Sequence, residues 1–276
     1  NDNGYYLVYD KTVVTDEQAA KLEDVLAACK EAGKKFIFNC GNGFYGCTFA
    51  FTAGVKIDGL EEDGVTQKFT DYDEAEAVKT LQAFSKLMHE YKGTFTSLDN
   101  AQVASGFSTG TLGAGVDGSW NTNADQKALG DNFGAAKLPT FTVDGTSYQM
   151  SGFGGFKLLG VKPQEDEAKL AACDALAAWL SGEEVQIARF EAVEWGPSNL
   201  AAQASDVVQA NEALAALGEQ LQFTIPQGQY PGDYWTLATS LGDSVISGEL
   251  TTGSSDDELM AALQKFQDTC NSYVGK

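Results

Sequence analysis

The opening segment changes hydrophobic period twice, and this constrains the fold more than any other feature of the chain. Tyr5–Tyr9 (YYLVY) is a short apolar and aromatic run with strand character. Thr15-x-x-Gln18 has the spacing of a capping box, and Leu22, Val25, Leu26 and Cys29 then share one helical face until Gly33. Lys35–Cys40 (KFIFNC) returns to strand character. Strand, helix, strand in so short a span predicts an α/β layer.

The same grammar continues. Asp73-x-x-Glu76 is placed to start a helix lined by Val78, Leu81, Phe84, Leu87, Met88 and Tyr91, and Gly93 ends it. Residues 105–119 are rich in Gly, Ser and Thr and hold short strand candidates. Phe133–Phe141 ends in a strand stopped near Pro139, Asp144-Gly145 is a turn, and Phe153–Val161 is a Gly-rich strand. Residues 165–181 form an amphipathic helix with Trp179 expected in the core, followed by helices over 182–192 and 204–221. Ser255-x-x-Glu258 caps a last helix that turns Leu259, Leu263, Phe266 and Cys270 inward. No apolar run reaches membrane-spanning length.

Charge excludes some partners. Lys and Arg number 18 against 39 Asp and Glu, a formal net charge of -21. Such a surface repels phosphate backbones and anionic lipid, so nucleic acid is not expected as a partner. The five cysteines have no CxxC spacing, which excludes a zinc ribbon or thioredoxin motif. Cys29, Cys173 and Cys270 sit in apolar helical contexts and are expected as buried small hydrophobes. Cys40 and Cys47 flank a Gly-rich loop, across which they could pair.

Two motifs invite an enzymatic reading. Gly106-Phe107-Ser108-Thr109-Gly110 matches GxSxG, but a nucleophile elbow needs a strand before it, a helix after it and a histidine downstream. The one histidine, His89, lies upstream near a helix end, where the helix dipole accounts for it. Gly41-Asn42-Gly43-Phe44-Tyr45-Gly46 matches GxGxxG directly after a strand, with Glu61 or Glu62 about the right distance on for a ribose. This supports an alternative, a dinucleotide-binding oxidoreductase. Against it, Asn42, Phe44 and Tyr45 are bulky and suit a sugar ring better than a pyrophosphate. No cofactor is expected on the leading reading.

That reading rests on aromatic residues beside polar ones. A sugar presents an apolar C–H face and a rim of hydroxyls, so its site needs flat rings and side-chain amides, acids or hydroxyls. Three clusters qualify: Asn39/Asn42/Phe44/Tyr45, Asp117/Ser119/Trp120/Asn121 and Tyr230/Asp233/Tyr234/Trp235. The candidate ligand residues are Trp120, Trp235, Tyr45, Phe44, Asn42, Tyr234 and Asp233.

The order of segments resembles the maltose-binding class of solute-binding proteins. Ser105–Trp120 (SGFSTGTLGAGVDGSW) is similar to that family's segment ending in G-x-W, and Phe133–Phe141 to the strand after it. Phe153–Val161 with Ala177–Ser181 resembles the next strand and helix, Trp195-Gly196-Pro197-Ser198 the return crossing, and Tyr230–Thr239 the C-terminal part. No single motif is specific; their order along the chain carries the resemblance. It implies an α/β, type II periplasmic-binding-protein-like fold, mainly the C-terminal lobe plus one segment of the N-terminal lobe. Residues 7–147 and 200–276 would form the second lobe and 153–194 part of the first, with crossings near 1–6, 148–152 and 195–199.

By the same resemblance the chain is a non-catalytic, sugar-binding component of an ABC uptake transporter, with malto-oligosaccharide as ligand and permease subunits as partners. It would act extracellularly, lipid-anchored at the cell surface or periplasmic. Trp120 and Trp235 match stacking positions of the sugar cleft. Asn42 stands where the family carries an acid, and Thr236 and Thr239 where maltose binders have an aromatic and a basic residue. The strands and helices that open the family's first lobe have no counterpart before Tyr5. Residues 153–194 are therefore expected to expose apolar surface and to favour dimerisation or swapping.

Overall fold

The computed structural model describes residues 2–54, 75–226, 233–248 and 255–273. Strand β1 (Asp2–Asp10) is the longest and lies inside the main sheet. Tyr5, Leu7 and Tyr9 project into one hydrophobic cluster, Tyr6 and Val8 into the other. This is the period-two arrangement of a strand covered on both faces, and it explains the unbroken apolar run YYLVY.

The expected cap forms, but on a shorter element. Thr15 N–H donates to Gln18 Oε1 (2.9 Å) and Gln18 N–H to Thr15 Oγ1 (3.2 Å). They start a single 3-10 turn (Gln18–Ala20); Lys21 is then extended, and α1 (Leu22–Glu31) follows with Leu22, Val25, Leu26 and Cys29 buried. Strand β2 (Lys35–Ile37) stops before Cys40, and two short helices, α2 (Gly43–Gly46) and α3 (Thr48–Thr52), follow. Helix α4 (Ala75–Glu90) buries Val78, Leu81, Phe84, Leu87 and Met88; the expected starting residue, Asp73, lies outside the described residues.

Strand β3 (Phe95–Thr96) precedes α5 (Val103–Ser108) and β4 (Leu112–Gly118). The Gly/Ser/Thr-rich stretch thus holds a helix and a strand rather than several strands. Helix α6 (Thr122–Leu129) leads to β5 (Phe133–Ala136), β6 (Thr140–Val143), β7 (Thr146–Gln149) and β8 (Gly152–Phe156). Asp144 and Gly145, at φ 48° and 81°, make the two-residue β6–β7 turn, where positive φ at both centres favours Asp-Gly. Strand β8 ends at Phe156, so the second half of the expected 153–161 strand is exposed chain.

Helices α7 (Glu167–Leu180) and α8 (Glu183–Val193) follow, then α9 (Leu200–Gln203), α10 (Asp206–Gln209) and α11 (Glu212–Gln220). The expected 204–221 helix is broken at Asn211, whose side chain accepts from Leu214 N–H and restarts the chain as α11. Strand β9 (Thr224–Pro226), α12 (Asp233–Ser247) and α13 (Asp256–Asn271) complete the described chain. The Ser255–Glu258 capping box is present, and Leu259, Leu263, Phe266 and Cys270 are buried as expected.

The described main sheet has seven strands in the order β3-β2-β4-β1-β8-β9, with β5 also on β1. One edge of β1 pairs with β4 over Tyr5–Tyr9. The other edge is shared: Asp2–Gly4 pairs with β8, and Leu7–Asp10 with β5, all antiparallel. Parallel pairs β2–β3, β2–β4 and β8–β9 complete a mixed α/β layer. Helix α11 packs on β1 and β5, where Gln220 Oε1 accepts from Leu138 N–H (2.8 Å) and its Nε2 donates to Met150 O (3.3 Å).

Two sequence expectations fail in the same region. Trp179 is 61% exposed, and no residue of α7 is buried. The helix rests on α8 and otherwise faces outward, so its apolar side lacks the cover that the spacing implied. Cys173, on the same helix, is only half-buried. The outward apolar surface expected of 153–194 is present: Leu158 is 88% exposed, and Phe156, Leu159, Leu176 and Val193 are exposed as well.

Candidate functional site

The two enzyme-like motifs are accounted for by packing. GxSxG runs from α5 through a turn at Gly110 (φ 66°) into β4, a helix–turn–strand order that is the reverse of a nucleophile elbow. Ser108 Oγ donates to Ala104 O within the helix. In GxGxxG, a Cβ on Gly43 would lie 2.7 Å from Ala238 Cβ, and one on Gly46 would lie 2.4 Å from Cys40 O. On the facing helix α12, a Cβ on Gly242 would lie 2.5 Å from the same carbonyl. Gly43 and Gly242 seat α12 against the loop and Gly46 closes the loop on itself, so the close approach that a pyrophosphate would need is already used. Cys40 and Cys47 are free, buried thiols rather than a pair.

The same loop carries an aromatic chain. Asn42 caps α2, its Oδ1 accepting from Phe44 N–H (2.9 Å), and stays exposed. Phe44 then lies at a junction of rings. It meets Trp120 at 6.0 Å between centroids, stacks on Phe153 (5.6 Å, 22°) and takes the edge of Tyr5 (5.2 Å). Phe153 meets Trp235 at 6.3 Å. Trp120 and Trp235, 115 positions apart, thus belong to one network through Phe44 and Phe153, and both are only partly buried.

Tyr5 ties this network to β1. Its hydroxyl donates to Phe44 O (3.2 Å), accepts from Phe153 N–H (3.3 Å) and lies 3.1 Å from Thr48 Oγ1. Tyr45 and Tyr234, expected at the ligand, are buried. Tyr45 packs on Tyr5 (4.8 Å) and Phe44 (5.2 Å), and Tyr234 donates to Gly43 O (3.3 Å) and meets Phe266. Adjacent helical residues point about 100° apart, so on α12 Tyr234 turns inward while Trp235 reaches Phe153. Asp233 is exposed at the first turn of α12; Tyr230 lies outside the described residues.

Trp120 follows β4 and is laid over Gly118, where a Cβ would lie 2.2 Å from its Cζ2. The Lys157 ammonium stands over the same indole at 5.9 Å and over Trp195 at 5.7 Å. No sequence signal singled out Lys157, Phe153 or Trp195 for this place.

Behind the Trp120 loop is a buried acid pair. Asp117 Oδ1 accepts from Gly118 N–H (2.6 Å) and Asn121 Nδ2 (2.9 Å). Asp117 Oδ2 and both Asp125 oxygens have no hydrogen-bond donor among the described residues. Burial raises Asp125 well above the usual carboxylate range, and the Asp117 carboxylate beside it adds to the rise. Burial also raises Asp117, against the Asn121 and Gly118 donors. Next to the pair, the Tyr6 hydroxyl is 2.5 Å from Thr122 Oγ1.

Comparison with known proteins places the chain. Residues 1–216 match the bacterial extracellular solute-binding protein family, and the chain belongs to it. The galactooligosaccharide-binding protein of Bacillus subtilis (strain 168) is 30% identical over 145 residues, 52% of this chain and 33% of that protein. The chain therefore spans about a third of that curated relative. Among solved structures, the maltodextrin-binding protein MalE1 from L. casei BL23, without ligand, superposes with a TM-score of 0.83 at 20% identity, covering 98% of this chain and 69% of its own. The maltose/maltodextrin-binding domain MalE from Bdellovibrio bacteriovorus, bound to maltotriose, gives 0.73 at 21%, covering 100% and 72%. A structure with acarbose gives 0.77 at 25%, covering 99% and 69%. These likenesses bear out the type II periplasmic-binding-protein-like fold expected from segment order.

Proposed function

We propose that this chain captures an oligosaccharide, most consistent with a malto-oligosaccharide, for an ABC uptake transporter. The observation that carries the reading is the ring network that joins Trp120 to Trp235 through Phe44 and Phe153. Two part-exposed indoles joined through part-buried Phe44 and buried Phe153 suit a pyranose face, and exposed Asn42 and Asp233, close in sequence to Phe44 and Trp235, suit its hydroxyls. The relatives whose names mention a carbohydrate support the ligand class.

The division into lobes is part of this proposal. Residues 7–147 and 200–276 form one lobe, 153–194 belong to the other, and the chain crosses near 1–6, 148–152 and 195–199. The split pairing of β1 and the packing of α11 on β1 and β5 support it. Closure of the lobes over the sugar would present the loaded protein to permease subunits. The family description supports an extracellular place of work, and lipid anchoring or residence in the periplasm is part of the proposal. Where nothing else covers the apolar face of 153–194, that face favours self-association; light scattering that gives a monomer at high micromolar concentration removes this element.

The test is calorimetry with maltotriose, maltose and a galacto-oligosaccharide on the wild type, Trp120→Ala and Trp235→Ala. Loss of either indole is expected to weaken binding by about 2–4 kcal/mol, roughly thirty- to a thousandfold in Kd. Unchanged affinity in both variants refutes the site.

A further inference from the structure

We infer that Tyr5 is a positioning residue of the sugar site, whose single hydroxyl sets where the two rings between Trp120 and Trp235 lie. The inference rests on the sugar site proposed above. Phe44 comes from α2 and Phe153 from β8, and their rings stack at 5.6 Å between centroids with 22° between planes. The main chain of both is bonded to the same oxygen: Tyr5 Oη donates to Phe44 O (3.2 Å) and accepts from Phe153 N–H (3.3 Å). Thr48 Oγ1 of α3, 3.1 Å away, is a third partner. The pair is thus held by stacking at its side chains and by one hydroxyl at its backbones. Each ring in turn meets a different indole, Phe44 that of Trp120 (6.0 Å) and Phe153 that of Trp235 (6.3 Å).

The surroundings are shaped to admit this oxygen. A Cβ on Gly152 would overlap the Tyr5 hydroxyl and Cζ, so the residue before Phe153 has to be glycine for the phenol to reach β8. Tyr5 is 1% exposed, and burial raises its hydroxyl well above the ordinary tyrosine value, so the proton stays on and the donor to Phe44 O is kept. A phenylalanine would fill nearly the same space, against the same Phe44 and Tyr45 rings. What the oxygen adds to the packing is the pair of backbone bonds. Cys47 Sγ also donates to Phe44 O (3.2 Å), so without the hydroxyl the loop keeps a local bond and loses its tie to β8. On the division into lobes proposed above, Phe44 and Phe153 belong to different lobes and Tyr5 to a crossing, so these bonds set how the two stacking surfaces face each other.

The experiment is calorimetry with maltotriose on the full chain, as a double-mutant cycle of Trp120→Ala and Trp235→Ala run in the wild type and again in Tyr5→Phe, with urea unfolding to show that each variant is folded. Tyr5→Phe is expected to weaken binding about three- to tenfold. In the wild type the two tryptophan losses are expected to depart from additivity by about threefold or more in Kd, because each indole leans on one ring of a linked pair; in Tyr5→Phe they are expected to add. A residue that only stabilises the fold would lower the urea midpoint and move neither quantity. Gly152→Ala pushes on the same oxygen from β8 and is expected to repeat the loss of affinity, which decides the matter if Tyr5→Phe does not fold. Wild-type affinity in the folded variant, or equal departure from additivity in both backgrounds, overturns the inference; if the single tryptophan variants still weaken binding, the sugar site stands without it. If neither tryptophan matters, the sugar site falls and the inference with it.

Discussion

Asp125→Asn tests the buried acid pair behind Trp120. In the folded chain Asp125 and Asp117 both hold protons more tightly than a free aspartate does, chiefly because burial penalises the charge. The sign follows from linkage. A carboxyl raised on folding binds more protons in the native than in the unfolded state, so its contribution to stability is full below the ordinary aspartate pKa, about 3.9, and is lost as pH rises from there through the raised value. One extra proton held on folding costs about 1.4 kcal/mol per pH unit, or about 2.7 kcal/mol between pH 5 and pH 7.

Asparagine at position 125 supplies an amide N–H to Asp117 Oδ2, which has no donor among the described residues, and does so without a proton from solution. The variant is expected to match the wild type at pH 5 and to exceed it at pH 7.5 by about 1–3 kcal/mol. Urea unfolding at both pH values, read by tryptophan fluorescence, measures this, and Asp131→Asn at an exposed position controls for the loss of one surface charge. Equal pH slopes in wild type and Asp125→Asn, or a variant less stable at pH 7.5 than at pH 5 relative to wild type, would refute the account in which burial holds the proton on Asp125.

Gly118→Ala puts a methyl group 2.2 Å from Trp120 Cζ2, so the indole must move; about 1–3 kcal/mol of stability and most of the sugar affinity are expected to go, read by melting and calorimetry. Ser255→Ala removes the reciprocal cap of α13 and is expected to cost about 1 kcal/mol in urea unfolding, with sugar binding unchanged. Thiol titration under native conditions is expected to label Cys173 first. Burial pushes Cys29, Cys40 and Cys270 each up to about 12 and raises Cys47 as well, so these should react only on unfolding; equal rates for all five would contradict the packing.

Much of the fold was legible because its signals are local. The capping boxes at Thr15 and Ser255, the Asp144-Gly145 turn and the apolar faces of α1 and α13 follow from residues within a few positions of one another. What was misread depends on distant partners. The spacing in α7 marks an apolar side but not what covers it, hence Trp179 in the open. The glycines of 41–46 look like a phosphate cradle until α12, nearly two hundred residues later, is found to fill the space at Gly41 and Gly43. Tyr234 and Trp235 are neighbours in sequence, yet only the direction of α12 decides which ring goes inward. The Asp117–Asp125 pair had no signal, because two acids eight positions apart do not stand out in a chain with 39 of them.

The pairing of β1 has a mechanical consequence. From Tyr5 onward its side chains enter the two apolar clusters, whereas Gly4 faces Gly154 across the ladder and neither has a side chain. The bare rung lets its neighbours close in, for a Cβ on Gly4 would lie 3.0 Å from Leu217 Cδ1 and one on Gly154 2.5 Å from Thr224 Oγ1, and Gly4 O is at the same time the acceptor for Ser119 N–H (3.0 Å), one residue before Trp120. A side chain at either glycine would therefore press on β1 beside the hydrogen bond that holds the Trp120 loop.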